Sequence, residues 1–292
     1  MKIGINGGLG NQLFQASFAH LDSDTRIELY LDSAPRPDRP FELQKLLVNC
    51  DHINKLSSTG NLLMRFRIKL MRAPKKFKLN FLTDFLSSIS KIAFEEKPFS
   101  SQTQVLYKNS IYLGYFQHWS LVEKNWNVFG PELNETLAKI DGQKWKDIDL
   151  NSTIIIHVRQ GDLINVKNTM GILCAEYYGN AVKLIEDRSG HKGFDLVVVT
   201  DDKKRVSELD SNLKFSRVFG LEDMTAWETL KIMSEAKYLV CANSTLSWWG
   251  SYLSAKKNGL VVLPNPWFKN WHEEVGDAFL FPESNTFESS FI

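Results

Sequence analysis

The chain has 292 residues, 43% hydrophobic and 24% charged, the profile of a folded protein of about two domains rather than a disordered one. Its 35 Lys and Arg against 34 Asp and Glu leave a net charge of +1, too small an excess for a dedicated nucleic-acid binder. No run of about 18 apolar residues is present to span a membrane, the N-terminus does not read as a signal peptide, and the 3 scattered cysteines suit neither a disulfide framework nor a zinc site, so a cytoplasmic location is expected.

The first apolar run, Lys2–Asn6, predicts a strand, and Asn11–Leu21 predicts the helix after it. Between them lies Gly7-Gly8-Leu9-Gly10-Asn11-Gln12. Glycines Gly8 and Gly10 let a ligand approach the backbone, and the helix start offers unpaired N–H groups to an anion. A dinucleotide fingerprint would need a third glycine where Leu13 stands, and no Gly-Lys-Ser/Thr follows to make a phosphate loop. A plain strand–helix turn accounts for the spacing equally well.

A second strand is expected at Arg26–Leu31. Residues 55–105 then break the rhythm, with a helix expected at Asn61–Arg72. The basic stretch Arg65–Lys78 reads either as a solvated helix face or as a peripheral contact with anionic lipid headgroups or a diphosphate-linked acceptor. A strand at Ile111–Phe116 and a helix at Leu121–Asn127 follow, and then a polar linker from Asp141 to Asp147. The boundary is placed near residue 150, giving domains 1–150 and 151–292.

Beyond it the alternation is regular. Strands are expected at Thr153–Val158, Leu196–Thr200, Phe215–Phe219, Tyr238–Ala242 and Leu260–Leu263. Helices are expected at Ala175–Asp187, Thr225–Ala236 and Ser244–Ala255. Runs such as Ile154-Ile155-Ile156 are apolar without alternation, as in parallel strands covered on both faces. The fold class is therefore α/β with parallel sheets.

Two further motifs sit where predicted strands end. Ile156-His157-Val158-Arg159-Gln160-Gly161-Asp162 puts polar groups at the carboxyl end of a buried strand, where open α/β sheets bind ligands. Arg159 is a fork of donors suited to a diphosphate, and Asp162 either holds that fork or acts as a base. Ala242-Asn243-Ser244-Thr245-Leu246-Ser247-Trp248-Trp249-Gly250 follows another strand; Ser244 and Thr245 either cap a helix or donate to phosphate oxygens. At least one of the adjacent tryptophans is expected in the core.

Together the three motifs, with Gly114-Tyr115-Phe116-Gln117 and Pro264-x-x-Trp267-Phe268, resemble the α-1,2-fucosyltransferases of glycosyltransferase family 11. The resemblance implies a GT-B fold, in which two Rossmann-like domains face a cleft, the first on the acceptor side and the second holding the donor. It implies inverting, metal-independent transfer from GDP-fucose to a galactoside or lipid-linked glycan, with no cofactor. By resemblance, His157, Arg159, Ser244 and Thr245 meet the donor, Gly8 and Gly10 shape the first turn, and Asn11 faces the reacting centre.

Two positions depart from the family pattern. Its second arginine is Gln160 here, and Trp227-Glu228-Thr229-Leu230 stands where an aspartate would bind guanine. Glu228 either substitutes as the acceptor of guanine N–H donors or the base differs. Asp162, Glu176 and His118 are the candidate catalytic bases. Rival readings are a metal-dependent transferase using Asp22-Ser23-Asp24 or Asp147-Ile148-Asp149, a transferase of another nucleotide-activated deoxysugar, and a non-catalytic sugar-binding protein.

Overall fold

The computed structural model describes residues 2–21, 27–31, 40–47, 53–55, 92–94, 99–101, 111–209, 213–270 and 275–292. The helix expected at Asn61–Arg72, the basic stretch Arg65–Lys78 and Asp22-Ser23-Asp24 lie outside the described residues. The chain divides into two units, Met1–Thr136 and Leu137–Ile292. The division precedes the expected 150 because the intervening segment packs on the second unit. Lys231 Nζ donates to the Leu137 carbonyl at 3.0 Å, and Trp145 Nε1 to Glu235 at 3.3 Å.

In the first unit, strands β1 (Lys2–Ile5), β2 (Ile27–Leu31), β3 (Ile53–Lys55), β4 (Ile92–Phe94) and β5 (Ile111–Leu113) form one sheet in the order β3-β2-β1-β5-β4. All its pairings are parallel. Helix α1 (Leu9–Ala19) is buried nearly all round, with Leu13, Phe14 and Phe18 in the core. Its buried Gln12, Gln15 and Ser17 therefore need partners, and each has one. Helices α2 (Gln44–Leu47), α3 (Trp119–Lys124) and α4 (Trp126–Ala138) complete the described part.

The second unit holds β6 (Thr153–Val158), α5 (Ala175–Ser189), β7 (Asp195–Thr200), α6 (Lys203–Val206), β8 (Arg217–Phe219), α7 (Ala226–Glu235), β9 (Tyr238–Val240), α8 (Thr245–Ala255), β10 (Leu260–Asn265), α9 (Gly276–Phe279) and β11 (Asn285–Glu288). Its sheet is parallel throughout, in the order β11-β10-β9-β6-β7-β8. Every residue of β6 is buried, as its unbroken apolar run requires. Ile154, Ile156 and Val158 pack with Tyr177, Tyr178 and Ala181 of α5. Full burial of one such aliphatic side chain stabilises by roughly 1.5–3 kcal/mol. Alternation turns Ile155 and His157 to the opposite face, where α7 touches β6. Helices α7 and α8 pack closely there. A Cβ on Gly250 would stand 2.6 Å from Met233 Cβ, so the last residue of the Trp-Trp-Gly motif lets two helices meet. Both tryptophans of that motif are fully buried, and Trp248 Nε1 donates to the Phe279 carbonyl at 2.8 Å.

The fold class is as expected: α/β, with one parallel sheet in each of the two units. Among the described residues, no helix is long and apolar enough to cross a membrane.

Candidate active site

Strand order decides where each unit can bind a ligand. From β6 the second sheet grows outward through β7 to β8, then returns to the other flank of β6 as β9. That reversal opens a crevice beyond the carboxyl ends of β6 and β9, where ligands of open α/β sheets lie. The motif from His157 to Asp162 leaves β6 there, and the motif from Asn243 to Gly250 leaves β9 there. The first sheet reverses between β1 and β5. The turn from Gly7 to Asn11 follows β1, and the segment Gly114 to His118 follows β5. Each unit thus brings its motifs to its own switch point.

Arg159 is held by a residue that the sequence reading did not name. Val158 pairs in register with Thr200, so the next residues, Arg159 and Asp201, leave adjacent parallel strands side by side. Arg159 Nε lies 3.0 Å from Asp201 Oδ2. The same carboxylate accepts Gln160 N at 2.9 Å and Gly161 N at 3.1 Å. A Cβ on Gly161 would stand 3.0 Å from Asp201 Oδ2, so the motif's glycine admits this carboxylate. Asp201 thus holds the fork; Asp162, the holder or base of the sequence reading, opens a short 3-10 turn and its side chain falls outside the described residues. Gln160, in place of the family's second arginine, is buried.

His157 is only 3% exposed, and its Nδ1 has no hydrogen-bond partner among the described residues. Burial first, and the Arg159 charge second, push its pKa down to about 3. The imidazole is neutral at physiological pH. The unfolded chain takes up a proton there near pH 6.5. The sign follows: stability linked to His157 is fully present above about 6.5 and is lost as pH falls toward the folded value. The urea midpoint is expected to fall between pH 7 and 5 more steeply in the wild type than in His157→Gln. Parallel curves for the two would remove this linkage.

Two more buried polar atoms at this end lack partners among the described residues, Asn243 Oδ1 and the Tyr178 hydroxyl. Asn243 is 4% exposed; its amide donates to the Met170 carbonyl at 3.0 Å, which aims the oxygen elsewhere. Ser244 is the N-cap residue of α8, yet its side chain makes no capping bond. Ser247 Oγ instead accepts Ala242 N at 3.0 Å, and Tyr177 donates to the Cys241 carbonyl at 2.8 Å. The turn is braced from within, without its own serine. Unsatisfied buried acceptors and donors are uncommon, and a cluster of them at a switch point suits a polar ligand.

Glu228 is committed elsewhere. Its Oε2 accepts Thr225 N at 2.8 Å in a capping box for α7, and its Oε1 lies 2.7 Å from Lys144 Nζ. The Thr-x-x-Glu spacing was the readable signal for this box. An open depression of about 390 Å³ lies beside it, lined by Lys144, Val218, Phe219 and Asp223.

In the first unit the glutamines do the bracing. Gln15 Nε2 donates to the Gly114 carbonyl at 2.9 Å while its Oε1 accepts Asn6 N at 3.0 Å, tying the ends of β1 and β5 together. Gln12 Nε2 donates to the carbonyls of Gly7 at 2.8 Å and Pro40 at 2.9 Å. Asn11 Oδ1 accepts Gln117 Nε2 at 2.8 Å. Gly10 is buried in the first turn of α1. A Cβ on Gly8 would meet nothing within 4 Å among the described residues, so the fold itself does not demand glycine there.

His118, one of the expected bases, caps α3 instead. Its Nδ1 accepts Ser120 N at 3.1 Å and lies 2.9 Å from Ser120 Oγ. With Nδ1 accepting, the proton of the neutral ring sits on Nε2, which makes it a donor rather than a base. The Asp147-Ile148-Asp149 tripeptide is also occupied. Arg217 grips both Asp147 oxygens at 2.9 and 2.6 Å, which holds that carboxyl below its usual range. Asp149 accepts Asn151 N at 3.0 Å and Ser152 Oγ at 2.8 Å. Both precede β6, at the end of the sheet away from the switch point.

Residues 1–282 match the family model described as glycosyl transferase family 11. The chain belongs to that family. It is a glycosyltransferase, which uses a nucleotide-sugar donor and a glycan acceptor. It is similar to an Escherichia coli alpha-1,2-colitosyltransferase, 30% identical over 95% of this chain and 94% of that one. It is also similar to WbnK of E. coli, a glycosyltransferase of O-antigen biosynthesis, at 27% identity over 90% of this chain and 93% of the relative. Among solved structures it is similar to the E. coli ADP-heptose LPS heptosyltransferase II, with a TM-score of 0.49 and 11% identity, covering 98% of this chain and 89% of that one.

For this glycosyltransferase the second unit brings His157, Arg159, Ser244 and Thr245 to one switch point. It leaves Glu228 in the cap of α7. The first unit brings Gly8, Gly10 and Asn11 to the other switch point. Sequence reasoning missed Asp201, Gln12 and Gln15. The glutamines had a signal, two amides among the mainly apolar buried residues of one helix.

Proposed function

We propose that this family 11 enzyme is an inverting α-1,2-fucosyltransferase, moving fucose from GDP-fucose to a galactoside during assembly of a surface glycan. In this reading Leu137–Ile292 holds the donor and Met1–Thr136 the acceptor. The observation that carries it is that Arg159 and the start of α8 follow adjacent paired strands, β6 and β9, at the carboxyl end of one sheet. Both are anion-seeking groups, and both belong to one unit. The relatives' names, α-1,2 transfer in one and O-antigen synthesis in the other, are consistent with it.

The chemical task is departure of a nucleoside diphosphate from the anomeric carbon. Negative charge grows on the bridging and terminal oxygens of the leaving phosphate while the sugar gains oxocarbenium character. In this reading Arg159 and the first N–H groups of α8 stabilise that charge, without reorganisation at the moment of reaction. The acceptor hydroxyl loses its proton late, so a weak base suffices. Glu176, exposed in the first turn of α5, and Asp162 are the candidate carboxylates for it.

A second reading, transfer of a different nucleotide-activated deoxysugar, is favoured by Glu228. Its carboxylate is already bonded to Thr225 and Lys144 and would have to leave both to read guanine. Calorimetry with GDP, UDP and dTDP, in buffer containing a chelator, separates the two. GDP is expected to bind most tightly, without a metal. A preference of more than tenfold for UDP or dTDP, about 1.4 kcal/mol, would end the fucose assignment.

A further inference from the structure

We infer that Asp201 is a positioning residue for the transfer: it acts through Arg159, setting the plane of the guanidinium that meets the leaving diphosphate. The inference rests on the proposed role of Arg159. It starts from register. Val158 and Thr200 are the last paired residues of β6 and β7, which fixes Arg159 and Asp201 as neighbours where the strands end. Asp201 then collects three groups of the Arg159–Gly161 turn, the Arg159 Nε at 3.0 Å and the backbone N–H groups of Gln160 and Gly161 at 2.9 and 3.1 Å. Its side chain is only 10% exposed. A carboxylate so fully engaged and so covered is poorly placed to take a proton from an incoming hydroxyl. It is well placed to hold an arginine.

The need for such a holder is physical. An arginine side chain, with its several rotatable bonds, loses much rotamer freedom on being fixed. If that ordering were left to the transition state, it would subtract from catalysis. Asp201 completes it beforehand, and Gly161 provides the room, since any Cβ there would press on the carboxylate at 3.0 Å. A bare structural ion pair would not require the same carboxylate to fix the backbone turn that carries the arginine.

The test is a double-mutant cycle on the full chain, with kcat and donor KM measured for Asp201→Asn, Arg159→Ala and the double variant. Asparagine keeps the shape and removes the acceptor charge facing Nε. Asp201→Asn alone is expected to lower kcat by about 10- to 100-fold, the scale of a misplaced catalytic group, with less change in donor KM. Added to Arg159→Ala, it is expected to cost less than about twofold, because the group it positions is already gone. If Asp201→Asn costs the same factor in both backgrounds, Asp201 acts on its own and the inference is overturned. If Asp201→Asn alone is harmless, it is overturned as well. If Arg159→Ala itself keeps full turnover, the Arg159 role falls first and the inference falls with it, a result distinct from the other two. Should Asp201→Asn fail to fold, Asp201→Ser carries the same cycle. Its hydroxyl can hold one N–H of the turn but is too short to reach Arg159.

Discussion

Arg159→Ala and Arg159→Lys are each expected to lose about 10²-fold or more in kcat, the usual cost of removing a preorganised electrostatic stabiliser. Charge on the leaving phosphate is greatest in the transition state, so kcat should fall further than donor affinity. Lysine should not rescue. It offers a single point charge, cannot present paired donors, and loses the Nε contact that Asp201 holds at 3.0 Å. Folding should survive either change. Asp201 keeps the Gln160 and Gly161 N–H groups after the guanidinium is gone, so its charge is not stranded. Circular dichroism and thermal unfolding check the fold, and steady-state kinetics check the rest. A folded Arg159→Ala enzyme with more than a tenth of wild-type turnover would remove Arg159 from the mechanism. An unfolded one would show that its pair with Asp201 is chiefly structural.

What could be read in advance depended on how local each feature is. Strand β6 was legible to the residue because Thr153–Val158 is largely apolar on both faces and is followed directly by Arg159. The placing of motifs at carboxyl ends of strands followed from the alternation of strand and helix. The short strands β3, β4 and β11 were not legible. Ile53-Asn54-Lys55 carries no periodic signal in three residues, and Asn285–Glu288 is an edge strand with half its side chains in water. Helix α4 was hidden by Gly130-Pro131, which reads as a break yet lies within its first turns. The Arg159–Asp201 pair was invisible because it depends on strand register. A motif reading could only offer the nearer aspartate, Asp162. Glu228 is the opposite case, since its Thr225-x-x-Glu228 capping signature was in plain view beside its reading as a base contact.

On the proposed division of roles, substitutions in the first unit give the sharpest separation between holding the donor and completing the reaction. Gly7 has φ +79°, a left-handed conformation that costs an L-residue roughly 1–2 kcal/mol. A Cβ there would also stand 2.5 Å from Asn11 Nδ2. Asn11 cannot yield freely, because Gln117 holds its other amide atom at 2.8 Å. Gly7→Ala is therefore expected to displace Asn11 and to lower kcat by tenfold or more, about 1.4 kcal/mol in barrier. GDP affinity, measured by calorimetry, should stay within about twofold, since the groups proposed to hold the diphosphate belong to Leu137–Ile292. Gly8→Ala supplies the contrast. Its backbone is ordinary at φ −77° and its Cβ would enter open space, so the folded chain loses little. Any rise in acceptor KM for Gly8→Ala would then report a ligand lying against that turn rather than a damaged fold. If Gly7→Ala instead weakened GDP binding in step with its loss of turnover, the donor would contact the first unit as well, and the division of labour between the two switch points would have to be redrawn.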